Sequence, residues 1–300
     1  MIARVALLVA MVGCGRLRFD PLGQVVDGGI GGDAKGPDGF GSPPCSSFGP
    51  WGMPELVNEL NTTNDDWGSQ ITADGLALYY QSDNELTADH RLYVARRPDR
   101  LSLFANPTRI PELEAAAMTD LTVTADELEL YGDVDDGAGQ CIHESTRAAI
   151  TDPWSTPTAV GAFCGATKDV CGFVSGDGLV IYVEAVNRIA AISRADRQTA
   201  WSMPVVLPNL NSGVACPTMR GDALEMFFDS GFPFDVWSDS RAVASADFSG
   251  PGAAVTATVS ASNDEDSSVT ADGYELFFSS DRTGGPGGFD IFHVTRSCAD

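Results

Sequence analysis

Five stretches of this chain align without a gap: ITADGLALYY from Ile71, VTADELELYG from Val123, VSGDGLVIYV from Val174, MRGDALEMFF from Met219 and VTADGYELFF from Val269. Each puts an apolar residue three positions before an aspartate, and apolar or aromatic residues two, four and five positions after it. The aspartates are Asp74, Asp126, Asp177, Asp222 and Asp272, at intervals of 52, 51, 45 and 50 residues. A period of that length predicts a solenoid or a propeller, because one such unit cannot bury its own apolar faces and must stack on its neighbours.

Within each unit the order is a short strand, an Asp-Gly-type turn, a second strand, a loop, a third strand and a fourth strand opened by an aromatic. The third strands close on Arg97, Arg147, Arg194, Arg241 and Arg296. Four antiparallel strands per unit make a propeller blade. The turn aspartate is expected to be structural, since Asp can bond its own backbone and Gly takes positive φ without steric cost. Second strands alternate poorly, as strands buried on both faces do.

The fourth strands begin at Phe104, Trp154, Trp201 and Phe248, and the chain ends at Asp300 before a fifth can occur. It occurs at the start instead: WGMPELVNELN from Trp51 matches WSMPVVLPNLN from Trp201. The expectation is therefore an all-β, five-bladed propeller over residues 46–300, closed by the N-terminal strand pairing into the last blade, with no open edge. The segment from Ser268 to Arg296, SVTADGYELFFSSDRTGGPGGFDIFHVTR, resembles the WD-like propeller repeat of the TolB type in its Ala-Asp-Gly turn, Ser-Asp-Arg, Gly-Gly loop and Asp-Ile-aromatic strand. That resemblance makes the glycine loop a blade connection, and implies a periplasmic or outer-membrane setting with a non-catalytic scaffold role. It is specific for architecture and weak for activity.

Residues 1–14 read as a signal peptide: Arg4, an apolar run from Val5 to Val12 too short for the roughly 20 residues of a membrane span, and the lipobox-like Met11-Val12-Gly13-Cys14. Cys14 is the expected lipidation site. Residues 15–45, rich in Gly, Asp and Pro, read as a flexible tether. The expected location is a bacterial outer membrane or periplasm-facing lipoprotein, touching the membrane only through its anchor, and a monomer. Six further cysteines predict three disulfides in an exported chain. Ring closure suggests Cys45 with Cys298, and the hairpin of blade two suggests Cys141 with Cys164. Cys171 and Cys216 occupy equivalent positions in adjacent blades, although Cys164 with Cys171 also competes.

Lys and Arg total 18 against 42 Asp and Glu, a formal charge of −24, which argues against a nucleic-acid partner. In a propeller, ligands meet the face where inner strands begin. Six positions before the turn aspartates stand Gly68, Asp120, Cys171, Cys216 and Asp266, beside Asp65, Asp66, Trp67, Asp264 and Glu265. Loops between second and third strands are expected to add Asp83, Asp133, Asp135, Asp136, Asp229 and Asp281. Asp133, Asp135 and Glu144 fall at the first, third and twelfth positions of a calcium-loop template, though Gly137 comes one residue early. No other cofactor is expected. The leading expectation is a non-catalytic envelope protein that binds a protein or glycan through Asp65, Asp66, Trp67, Asp120, Asp264, Glu265 and Asp266. One alternative is a polysaccharide-active glycosidase or lyase with Asp120 and Asp266 as its carboxylate pair. Another is a calcium-stabilised structural module.

Overall fold

The computed structural model describes residues 47–84, 89–135, 137, 139–165, 171–185, 187–210 and 213–299. The signal segment, the tether, Cys14, Cys45 and Asp136 lie outside the described residues. Five four-stranded antiparallel sheets follow one another as blades. Their inner strands, in order, are Asp66–Ile71, Thr119–Val123, Gly172–Val174, Val214–Met219 and Asp264–Val269. The fourth strand of blade five is Glu55–Leu56, with Glu55 opposite His293 and Leu56 opposite Phe292. Asn61 locks this closure, donating to the Ile291 carbonyl at 2.9 Å and accepting from its N–H at 2.7 Å. Pro111–Glu114 adds one helical turn after blade one, burying Leu113.

Each turn is built by its own sequence. The aspartate side chain accepts the N–H two residues on, as Asp74 does from Leu76 at 2.9 Å and Asp177 from Leu179 at 2.9 Å. In four blades it also takes a Ser or Thr hydroxyl from two residues back, at 2.6 to 2.8 Å. The next residue must adopt positive φ; Gly75, Gly178 and Gly273 do so freely, whereas Glu127 and Ala223 do so at φ 54° and 58°.

The arginines that end the third strands hold the blades together. Arg97, Arg147, Arg194, Arg241 and Arg296 each donate from Nε to a turn carbonyl, at 2.6 or 2.7 Å. Each also lies over the aromatic that opens its blade's fourth strand, including Arg296 over Trp51 at 4.2 Å, so Trp51 occupies in blade five the place Trp154 and Trp201 have in theirs. The guanidinium then reaches the preceding blade. It meets Glu275, Glu129 and Glu225 where that blade carries Glu three residues after its turn aspartate, and otherwise the hydroxyl of Tyr79 or Tyr182. Apolar clusters lie between blades in the same way: Phe277 and Ile291 of blade five pack with Ile71, Leu78 and Tyr80 of blade one.

Cys171 is bonded to Cys216, with Cα atoms 4.9 Å apart, so the inner strands of blades three and four are cross-linked. Cys141 is disulfide-bonded and stands opposite Cys164 in register; the side chain of Cys164 lies outside the described residues. The pairing expected between Cys45 and Cys298 also falls outside them, through Cys45. Cys298 sits at the closure, its backbone bridged to Phe48 and its sulfur 3.2 Å from the Tyr274 hydroxyl.

Candidate functional site

Four inner strands break register at the same place, between Trp67 and Gln70, Thr119 and Thr122, Ala215 and Thr218, and Glu265 and Ser268. The bulged residues Gly68, Asp120, Cys216 and Asp266 take φ of 60°, 49°, 42° and 52°. A bulge bends its strand and re-aims side chains, and a non-glycine residue held there stores about 1–3 kcal/mol of strain. The positions six before the turn aspartates, Gly68, Asp120, Cys171, Cys216 and Asp266, all line one open recess on the propeller axis, with a cavity volume of about 30 Å³. The Cys171–Cys216 disulfide forms one side of it; Asp120 and Asp266 come from the two blades flanking blade one.

Behind the bulges stands a second ring, seven positions after each turn aspartate: Gln81, Asp133, Glu184, Asp229 and Ser279. Two of its members reach the bulge of the next blade, Ser279 accepting the Gly68 N–H at 3.2 Å and Asp229 the Asp266 N–H at 2.9 Å. Asp229 is therefore a strand residue only 2% exposed, as is buried Asp133, and neither is the loop residue expected from sequence. The same offset from the repeat could have found this ring. Its partner could not be read, because it belongs to the neighbouring blade.

Burial first, then the nearby Asp266 carboxylate, pushes the Asp229 pKa well above the usual carboxylate range. Carboxyl oxygens of Asp229 and Asp266 lie within 4.8 Å of each other and of the Cys216 sulfur. Because that sulfur is in a disulfide it offers no thiolate, and two carboxyl groups so placed are suited to sharing a proton. Glu265, half-buried beside them, is also raised, by burial and then by the charges of Asp281, Asp120 and Asp264. Acids raised in pKa thus stand close to Asp266 and Asp120 at the recess.

The remaining residues of the expected face divide. Asp264 is buried, accepting from Ser280 at 2.6 Å and Ser260 at 2.8 Å and pairing with Arg282. Asp66, the same position in blade one, is buried and accepts from the N–H and hydroxyl of Thr62 at 2.5 and 2.9 Å. Asp65 accepts the Phe289 N–H at 2.9 Å. These three pin the loops that lead into the inner strands. Trp67 is half-buried, donating to Asp83 at 3.3 Å with its ring edge-on to His90.

The three residues of the calcium-loop template lie along one hairpin. Asp133 is buried and Asp135 exposed at the end of its strand, while Glu144 accepts from Tyr131 at 2.6 Å and lies 3.6 Å from Arg194. The hairpin, with Tyr131 opposite Glu144 and Asp135 opposite Gln140, spreads the three along its length.

Fold and site define the class: a five-bladed β-propeller with an acidic channel mouth. No protein-family model matches the chain, and no curated protein matches it in sequence. Among solved structures it is similar to the α-L-arabinofuranosidase PaAbf62A from Podospora anserina in complex with cellotriose, at 11% identity over 85% of this chain and 98% of that one, TM-score 0.53. It is similar also to the RS223 β-xylosidase, at 11% identity over 81% of this chain and 94% of that one, TM-score 0.55. A putative TolB from Agrobacterium tumefaciens overlaps at 16% identity over 73% of this chain and 71% of that one, TM-score 0.45. At such identities the likeness is one of fold. The expectation of a protein without enzymatic activity is nevertheless corrected, since the two solved structures named above that overlay most of this chain above a TM-score of 0.5 are an α-L-arabinofuranosidase and a β-xylosidase.

Proposed function

We propose that this protein is a carbohydrate-active hydrolase whose reacting groups are the carboxyls of the channel mouth. The observation that carries the reading is that Asp120 and Asp266 line one recess, with buried Asp229 behind Asp266 and half-buried Glu265, raised in pKa, close enough to Asp120 to feel its charge. Hydrolysis of a glycosidic bond needs one carboxylic acid to protonate the leaving oxygen and one carboxylate to activate water, and environments that push two acids apart in pKa supply that division. Glu265 is the proton donor, and Asp120 takes the proton of the attacking water. Asp229, out of substrate reach, positions Asp266 and holds the local proton.

Phe232 supports a sugar ligand. It is 94% exposed on the loop between the second and third strands of blade four. That loop is tied to the start of blade five, where Asp264 N–H bonds the Phe234 carbonyl at 2.8 Å. A bare ring beside acids suits the apolar face of a sugar. Arabinosides and xylosides are the first substrates to try, by analogy with the named enzymes of similar fold. Phe232→Ala should raise KM about tenfold with kcat little changed, the pattern of lost ground-state binding.

The setting belongs to the same proposal: an exported chain, anchored through a lipid on Cys14, with residues 15–45 letting the propeller reach an envelope glycan. The TolB-type resemblance of blade five bears on how a blade is built and leaves the activity to the channel. Turnover of aryl glycosides and polysaccharides by wild type, Asp120→Asn and Glu265→Gln tests the assignment. General acid and base groups contribute about 10²–10⁴-fold each, so losses of that size in folded variants are expected. Undiminished activity in both variants, or no turnover by the wild type on any glycan, overturns it.

A further inference from the structure

Besides its acids, the recess holds polar groups whose own bonding is incomplete. Each bulge brings two residues to the axis, and in the adjoining blades five and one the second of them is a serine: Ser267 after Asp266 and Ser69 after Gly68. Blades two and four have Leu121 and Pro217 at the same place. Ser69 is 4% exposed and Ser267 6%, and neither hydroxyl meets a hydrogen-bond partner. Behind them buried Asp229 uses Oδ2 to accept the Asp266 N–H and leaves Oδ1 unmet. Buried polar groups are nearly always bonded, so the same deficit in two neighbouring blades points to a partner that comes from outside.

The opening carries one sign of charge. None of the described residues that line it is basic. The strongest charges acting on Asp229 are those of Asp266, Glu265 and Glu184, and on Glu265 those of Asp281, Asp120 and Asp264. Arg282, in blade five, is engaged elsewhere, with Asp264 and the Thr258 carbonyl. Such a mouth repels a uronate, a sulfate or a phosphate and draws in a cation.

Size narrows the choice. A cavity of about 30 Å³ admits a group or two of water's dimensions and not a sugar ring, so a glycan lying over the mouth can insert only a small substituent. A hydroxyl fits but brings no charge, and an acetamido group is bulkier and also neutral. A primary ammonium has water's size, a positive charge and three donors for the three acceptors that Asp266, Ser267 and Ser69 present. A hard divalent cation suits the recess less, since it takes six or more oxygens and Leu121, Pro217 and the Cys171–Cys216 disulfide make up much of the wall.

We infer that the recess binds the ammonium group of an amino sugar, with the Asp266 carboxylate pairing with its charge and the hydroxyls of Ser69 and Ser267 accepting its remaining hydrogen bonds. That the bearer is a glycan rests on the function proposed above. The seat leaves Asp120 and Glu265 to the bond being cleaved. Where similarity of fold suggests neutral pentosides, the chemistry of the recess favours a polymer with free amino groups.

Calorimetry on the full chain tests this with glucosamine oligosaccharides, set against N-acetylglucosamine and xylose oligosaccharides of equal length. The glucosamine series should bind about ten- to a hundredfold more tightly than either, the range for hydrogen bonds to a charged group. Asp266→Asn, which keeps a residue that tolerates the φ of 52°, should remove most of that preference and leave xylose binding in place. The Ser69→Ala, Ser267→Ala double variant should do the same while melting no lower than wild type, because the hydroxyls it deletes bond nothing in the free protein. Glu55→Gln, on the exposed outer strand of blade five, should bind as wild type does. Equal affinity for the three sugars overturns the proposal, as does a loss in Glu55→Gln matching that in Asp266→Asn, which would mean general attraction of a polycation to an acidic protein. Calcium or a lysine peptide binding more tightly than the glucosamine series overturns it too. Lys168, three residues before Cys171 in sequence, lies outside the described residues; an amine response that appears only in Lys168→Ala would assign the seat to the chain's own lysine and sink the inference. Preferential binding of the amino sugar without cleavage of any glycan upholds the seat and overturns the hydrolase, whereas cleavage of neutral glycosides with no preference for the amine does the reverse.

Discussion

Ala223 shows how a single residue can carry a cost that its blade tolerates. Its place after Asp222 demands φ of 58°, which three other blades meet with glycine. A left-handed conformation costs a residue with a Cβ about 1–2 kcal/mol, and glycine gives back about half of that through its freer unfolded chain. Ala223→Gly should therefore stabilise the protein by roughly 0.5–1 kcal/mol, read as a shift in urea midpoint with unchanged slope. Glu127, strained in the same way, should not gain, because its carboxylate holds Arg96 at 2.5 and 2.9 Å and Tyr79 at 2.6 Å. Every one of these turn residues was legible in the sequence, since an Asx turn is made of neighbours in the chain. What Glu127 does for another blade was not.

At the scale of the blade, the closing arginine does more than end a strand. Arg97 is buried, bonded to Gly75 O and Glu275, and stacked on Phe104. Removing it strands Glu275, itself buried, with only Arg100 at 3.7 Å. Arg97→Ala should cost about 3–5 kcal/mol, and a combined Arg97→Met, Glu275→Leu variant should recover most of it, because an apolar pair needs no desolvation. If the single and double variants unfold at the same denaturant concentration, the arginine's worth lies in packing on Phe104 instead. The five arginines were visible as a periodic feature; their glutamate and tyrosine partners sit one blade earlier, 59 to 71 residues away in sequence for four of them and 178 for Arg97 across the ring closure.

For the whole molecule, closure and charge decide how stability is shared. Asn61→Ala removes both side-chain bonds to Ile291 and leaves the Ile291 N–H unmet, while its carbonyl keeps the Val57 N–H at 3.0 Å, so a loss of about 1–3 kcal/mol is expected. Hydrogen exchange should quicken first in Asp290–Thr295 and its partner strands; uniform acceleration around the ring would show that closure is not the weak seam. The pH dependence follows from groups lifted by burial: Asp229, Glu265, Asp66 and Asp290 all bind protons more readily folded than unfolded. Their stabilisation is complete below the unfolded pKa of about 4 and is lost as pH rises through the folded values. Glu127 acts oppositely: burial pulls it up, but bonds from Arg96 and Tyr79 and the arginine charges outweigh that and leave it low, so its contribution disappears in acid. Tm should peak at mildly acidic pH and decline toward neutrality. A Tm that climbs steadily from pH 5 to 8 would contradict the raised acids.

The repeat, the blade count, the turn chemistry and the return of the first strand to the last blade were determined by sequence alone, because each depends on spacing along the chain and on side chains that bond their own neighbours. The tertiary structure decided which acids stand at the channel and which pin loops. Asp66, Asp264, Glu265 and Asp266 look alike in a string of letters, yet two are buried under loop bonds, Asp266 lines the recess with Asp120, and Glu265 stands half-buried next to it. The difference comes from burial and from charges on adjoining blades, and a carboxyl group answers to whatever lies within a few ångströms, however distant in the chain.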